Sequence, residues 1–180
     1  MEEKINREFD RYCNELYNVL GRVDPIQINN ALDLLRDAKT RNSEVYIIGN
    51  GGSASTAEHW ANDLLKLGRV KAVPLTNLAT VSAFANDVNY SSVFIEQLKI
   101  YLKKDDILVG ITGSGNSPNI LEALRYVHER GEKSIGILGF DGGKAKDLCS
   151  SVIQVNSNDY GIIEDVHMTL GHYLARRLKE

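Results

Sequence analysis

No stretch of this sequence approaches the ~20 consecutive apolar residues that a membrane-spanning helix needs. Cysteine is scarce: Cys13 and Cys149 are the two in 180 residues, and they have no metal-ligand spacing. They read as reduced thiols of a cytosolic protein, each serving as a small apolar group. Positive charge is not in excess, since 21 Lys and Arg stand against 24 Asp and Glu. That balance lacks the basic face or stripe that nucleic-acid binding calls for. Internal repeats, low-complexity stretches and Pro/Gly/Ser linkers are all missing. The opening Met1-Glu2-Glu3-Lys4 is charged and has no apolar core, so it does not read as a signal peptide. What remains is 43% hydrophobic and 25% charged, the balance of a soluble globular protein. The length suits one domain with a sizeable core rather than two.

Hydrophobic spacing divides the chain. Ile5, Phe9, Tyr12, Leu16, Val19 and Leu20 recur at three- and four-residue steps, which predicts a helix with one apolar stripe. Gly21 ends it, Pro25 opens a second, and Ile28, Ala31, Leu32 and Leu35 continue that one. Residues 1–42 therefore read as a helical hairpin. Its first helix must bury its stripe on its own sheet layer or on another subunit. From 43 to 180 the pattern is different. Val45–Ile48, Ile107–Ile111, Ser134–Leu138 and Ser151–Val155 are short apolar runs, with Val70–Leu75 a weaker fifth. Such runs are strands buried on both faces of a parallel sheet. Between them lie the expected helices 53–66, 78–84, 91–101, 118–130 and 144–149, and 162–178 follows the last. The expectation is an α/β fold: a doubly wound, five-stranded parallel sheet flanked by helices, in one domain with an N-terminal hairpin. Ligands of such sheets bind beyond the carboxyl ends of the strands.

The loops at those ends are Gly49-Asn50-Gly51-Gly52-Ser53 and Thr112-Gly113-Ser114-Gly115-Asn116-Ser117. Each is built from glycine and small polar residues, and each runs into a helix N-terminus. Free N–H groups and the positive end of the helix dipole make an anion site there, and hydroxyls add neutral donors. Neither loop closes with Gly-Lys-Ser/Thr and neither is G-x-G-x-x-G, so no nucleotide cofactor is expected. Ser117 before Pro118 is also an ordinary helix cap. The turn 156–161 is polar and leads into a helix bearing Glu164, Asp165, His167 and His172. Asp165 and His172 share one helix face about 10 Å apart, and His59 stands one turn above Asp63. These groups form an acid/base or metal constellation, or else ordinary hydrogen-bonded helix residues. His128, with Glu129 and Arg130, reads as a solvated helix end. Asn86-Asp87 either stops a helix or presents a carboxylate to sugar hydroxyls.

Taken in order, Gly49–Ser53 with Ala57-Glu58-His59, then Ala85-Asn86-Asp87, then Thr112–Ser117, then Glu164 through His172, resemble the phosphoheptose isomerases of the SIS (sugar isomerase) superfamily. The resemblance spans nearly the whole chain. It implies isomerisation of sedoheptulose 7-phosphate to D-glycero-D-manno-heptose 7-phosphate, for heptose units of bacterial surface polysaccharides such as lipopolysaccharide. It implies a homotetramer with sites at subunit interfaces, and zinc in some members. By motif matching, Asn50, Gly51, Gly52, Ser53, Asn86, Asp87, Thr112, Gly113, Ser114 and Ser117 would bind the sugar phosphate. His172 matches the catalytic His, Asp63 the position of a catalytic Glu, and His59 a metal-ligand His. Three residues depart from the pattern: Asp63 for Glu, Gly113 for a frequent Thr, and Glu164 for Gln. The last change suggests a zinc set of His59, Asp63, Glu164 and His172.

Aldose–ketose exchange needs a base to take the proton beside the carbonyl and an acid to return one to the neighbouring carbon. The expectation is that His172 and one carboxylate, Asp63 or Glu164, share that work. Two other readings stand beside it. One is a non-catalytic SIS module that binds phosphosugars and a partner, as relatives associated with the bacterial replication initiator do. The other is an isomerase of a different phosphosugar.

Overall fold

The computed structural model describes residues 2–179; Met1, the first residue of the charged opening, and Glu180 lie outside the described residues. Helix α1 (Glu2–Leu20) and α2 (Pro25–Arg41) form the predicted hairpin. Asp24 caps α2, its carboxylate accepting from Ile26 N–H, with Pro25 in the first turn. The rest alternates: β1 (Glu44–Gly49), α3 (Gly52–Asp63), β2 (Lys71–Pro74), α4 (Leu78–Asp87), α5 (Ile95–Tyr101), β3 (Ile107–Thr112), α6 (Pro118–Glu129), β4 (Lys133–Gly139), β5 (Ser151–Val155) and α7 (Tyr160–Arg177).

All five strands are parallel, in the order β2-β1-β3-β4-β5. The chain moves outward from β1 to β2, then returns across β1 to β3. That reversal puts the topological switch point between β1 and β3. Side chains alternate between two cores. Val45, Ile47, Val109, Ile111 and Ile137 face α2, α3 and α7, where Trp60, Val166 and Leu170 meet them. Tyr46, Ile48, Leu108 and Leu138 face α5 and α6, against Leu98, Ile120 and Leu124. Both faces of the sheet are covered, which is why the strands read as unbroken apolar runs.

Three helical segments differ from the spacing. The 53–66 segment is α-helical to Asp63 and then widens into a π turn, Leu64–Gly68. The 91–101 segment splits into a 3₁₀ turn, Tyr90–Ser92, and α5. The 144–149 segment is a 3₁₀ turn, Gly143–Asp147, too short for an α-helix. The α1 stripe is only half used. Val19 is buried and Tyr12, Leu16 and Leu20 pack on the core, whereas Ile5 and Phe9 are exposed. Tyr12 donates a hydrogen bond to Asp165 (2.8 Å), tying α1 to α7. Cys13 is exposed, contrary to its reading as a small apolar group, because it lies off the stripe. Cys149 is half-buried, and burial pushes its thiol up to about 12, so it is protonated and inert.

Candidate active site

The two hydroxyl-bearing loops meet at the switch point. Gly51, at φ 53°, turns the chain from β1 into α3, a left-handed conformation that glycine takes without cost. Asn50 then reaches across to α6. Its amide donates to Asn119 Oδ1 (2.9 Å), and the Asn119 amide donates back to Asn50 Oδ1 (2.8 Å). Tyr90 Oη donates to the same Asn50 oxygen (3.0 Å). Spacing did not single out Asn119, which sits in a segment that reads as ordinary helix, or Tyr90, which falls between two predicted helices.

The second loop is braced from behind. Asn116 N–H donates to Ser114 Oγ (3.2 Å) and Lys144 N–H to Asn116 Oδ1 (3.2 Å). Ser117 has the backbone of a helix cap, yet its side chain makes no capping bond. Its hydroxyl and that of Ser53 are uncommitted among the described residues and face a common space. That space is a cavity of about 130 Å³ lined by Asn50, Ser53, Thr112, Gly113, Ser114, Ser117, Tyr160 and Glu164, with Ile111 at its base. With amides, hydroxyls and the N-terminus of α6 around it, it is built to take an anion. A wider groove of about 610 Å³ between α1 and residues 156–159 carries none of these loop hydroxyls.

The histidines gather two turns further along α7. His172 Nδ1 lies 3.0 Å from Asp63 Oδ2, and His59 Nε2 lies 3.5 Å from the same oxygen. The two imidazoles meet edge-on, 4.9 Å between centroids. Asp63 is buried while both histidines keep an open edge. With the carboxylate accepting, His172 Nδ1 carries the proton and Nε2 is the basic nitrogen. His59, Asp63 and His172 offer ligand atoms all within 4.8 Å of one another, so together they can hold a metal ion. Trp60 sets the helix spacing here. A Cβ on Gly171 would fall inside its indole, so α3 and α7 meet where α7 has no side chain.

Glu164 is not part of that group. A Cβ on Gly52 would stand 2.5 Å from either Glu164 carboxylate oxygen, so this carboxylate rests on the first turn of α3, at the anion cavity. Eight residues separate it from His172, about 12 Å of helix. The four-residue metal set therefore reduces to three. Asn86 and Asp87 are also outside the cavity. They are exposed on the last turn of α4, where the Asn86 amide donates to Asp87 Oδ1 (2.8 Å). Asp165 is taken up by Tyr12, not by His172. His167 is buried, with the Leu138 backbone near its ring but no well-aligned hydrogen bond to either ring nitrogen among the described residues, and burial outweighs that backbone contact and pushes its pKa down to about 4. His128 is exposed in the last turn of α6, as its sequence suggests.

Comparison with known proteins bears directly on this arrangement. The SIS domain family model matches residues 11–139. The phosphoheptose isomerase of Geobacter sp. (strain M21) is 32% identical over 97% of this chain and 94% of its own length. That of Helicobacter pylori (strain P12) is 34% identical over 97% and 94%. The chain belongs to the phosphoheptose isomerase family. Its backbone agrees: the solved phosphoheptose isomerase of Neisseria gonorrhoeae superposes with a TM-score of 0.89 at 27% identity, over 98% of this chain and 97% of that one. The family's five-stranded parallel sheet with flanking helices is the one described above.

Proposed function

We propose that this protein is a phosphosugar isomerase that interconverts sedoheptulose 7-phosphate and D-glycero-D-manno-heptose 7-phosphate. One observation carries the reading: α7 brings Tyr160 and Glu164 to the anion cavity at the sheet's switch point and, about 12 Å of helix beyond Glu164, sets His172 against Asp63 of α3. The phosphate sits toward Ser114, Ser117 and the N-terminus of α6, away from the Glu164 carboxylate. Its binding energy orients the reacting carbons. His172 Nε2 takes the proton from the carbon beside the carbonyl and returns it to the neighbouring carbon, and Asp63 holds the imidazole in the useful tautomer; Glu164, about 12 Å of helix away, is too far to share that proton. Glu164, Ser53 and Asn50 face the sugar rather than the phosphate.

His59, Asp63 and His172 would hold a zinc ion, because two imidazoles and one carboxylate with a fourth position open are a catalytic zinc set. When bound, zinc supplies Lewis-acid polarisation of a substrate oxygen. Ligation would take up a His172 lone pair, so the metal and proton roles of this residue are alternatives.

We read the chain as one domain that works as a homotetramer in the cytoplasm. Apolar Leu78 and Val88 lie exposed at the two ends of α4, and Ile5, Phe9 and Tyr17 lie exposed on α1. Exposed large apolar side chains on these two helices favour their being covered by further copies of the chain. A site completed by a neighbouring subunit gives Asn86 and Asp87 a substrate to meet. No helix among the described residues is long and apolar enough to cross a membrane.

The test is turnover of sedoheptulose 7-phosphate by the purified protein, with and without zinc, before and after chelation. Turnover lost on chelation and restored by zinc supports the metal role. Turnover indifferent to chelation leaves His172 as a proton carrier. No turnover under any condition rejects the isomerase.

A further inference from the structure

Tyr160 is the first residue of α7 and lies in a turn whose polar sequence gives no hint of a site. Its ring is packed against the phosphate loop: a Cβ on Gly113 would stand 2.8 Å from Tyr160 Cε1 and 3.1 Å from Cδ1. Gly113 is not in the left-handed region, so its backbone would accept any residue. The missing side chain therefore makes room for the ring, not for a turn. From the other side Phe140 supports the ring edge-on, 4.9 Å between centroids. Phe140 is itself held at φ 47°, a costly conformation for a side chain of that size, with its carbonyl accepting from the Gln154 amide (2.9 Å). The Tyr160 hydroxyl has no hydrogen-bond partner among the described residues.

The ring has space on both sides. It lines the anion cavity of about 130 Å³, and it also lines an open groove of about 510 Å³ bounded by Ser114, Asn116, Phe140, Asp141 and Asn158. Tyr160 and Ser114 border both spaces, and of the two only Tyr160 has a ring large enough to divide them.

We propose that Tyr160 is a specificity-determining residue that closes the anion cavity behind the phosphate, so that the site accepts a terminal phosphate monoester and excludes one esterified a second time. A further ester group would have to pass through the plane of the ring into the groove. The proposal rests on the assignment of this cavity to the substrate phosphate. It uses the ring as a barrier and not the hydroxyl, because the ring is what Gly113 and Phe140 hold in place.

The test compares calorimetric binding of sedoheptulose 7-phosphate and of its methyl phosphodiester, with turnover of the monoester measured alongside. Wild type is expected to prefer the monoester by 30-fold or more. In Tyr160→Ala that preference should fall at least tenfold, and Tyr160→Phe should keep it. Gly113→Thr, which intrudes on the ring, should weaken monoester binding at least tenfold. Adding Tyr160→Ala to Gly113→Thr should recover most of that loss, a coupling expected only of side chains that share one space. Both variants at position 160 alter a half-exposed side chain, so folding is preserved. An unchanged preference in Tyr160→Ala, or a wild type that binds both esters equally, overturns the proposal. Binding by wild type without turnover rejects the isomerase and leaves the partition to be judged on the binding constants. Failure of wild type to bind the monoester overturns both.

Discussion

The indole of Trp60 lies directly against the Cα of Gly171, so closely that no side chain fits at 171. Trp60 follows His59 and precedes Asp63 by three residues; Gly171 precedes His172. The contact thus fixes the spacing of the two helices that carry the histidine–aspartate group. Gly171→Ala should cost about 1–3 kcal/mol by overpacking. It should also lower kcat, because sub-ångström placement of His172 against Asp63 is lost. Urea unfolding reads the first effect, and steady-state kinetics on the folded variant read the second. A variant with wild-type midpoint and kcat would remove Gly171 from this role.

The proton-carrying role proposed for His172 leads to a direct outcome. His172→Ala should lower kcat by roughly 10²–10⁴-fold with a smaller change in KM. Asp63→Asn keeps the size but removes the charge, and it should lower kcat with a shifted pH profile. Full turnover by His172→Ala would show that the base is elsewhere.

Metal binding can be read apart from activity. Calorimetric titration of the chelated protein with zinc should give one site per chain. His59→Ala and His172→Ala should each abolish it, and Glu164→Gln should leave it in place, since Glu164 lies outside the ligand group. Loss of zinc binding in Glu164→Gln would restore the four-residue set.

His167 makes the fold acid-sensitive. Burial pushes its pKa from the usual 6.5 down to about 4. Between those values the unfolded chain takes up a proton that the folded chain refuses. Stability is therefore full above pH 6.5, falls as pH drops toward 4, and levels off below it, with a loss on the order of 3 kcal/mol from this group. Urea midpoints measured from pH 7 to 4 should fall less steeply in His167→Leu, which leaves no group there to protonate. Equal slopes in the two proteins would exclude His167 as the source.

The strands were legible because burial on both faces makes each an unbroken apolar run, with β2 weakest because it lies at the sheet edge and ends in Pro74. The two loops that meet at the cavity were legible because their glycines and hydroxyls are what an anion needs. Helix periodicity gives the angle of Glu164 on α7 but not its neighbour, so its contact with Gly52 could not be foreseen. Asp165 was out of reach for the same reason: its partner, Tyr12, is 153 residues away. Tyr160 stood in a turn rich in Asn, Ser and Asp, and only the packing around Gly113 shows its use. The π turn after Asp63 has no marker in the sequence that spacing could detect.

Helix α7 carries Tyr160 and Glu164 at one end of the site and His172 at the other. Under the proposed assignment, the interval between the anchored phosphate and the reactive carbons is written as a whole number of residues on one rigid rod. A single insertion between Glu164 and His172 would swing the imidazole by about 100° and carry it off Asp63. Loop changes, in contrast, alter grip without altering which carbon is reached. Substrate length is measured by a ruler, and substrate affinity by the loops at its zero mark.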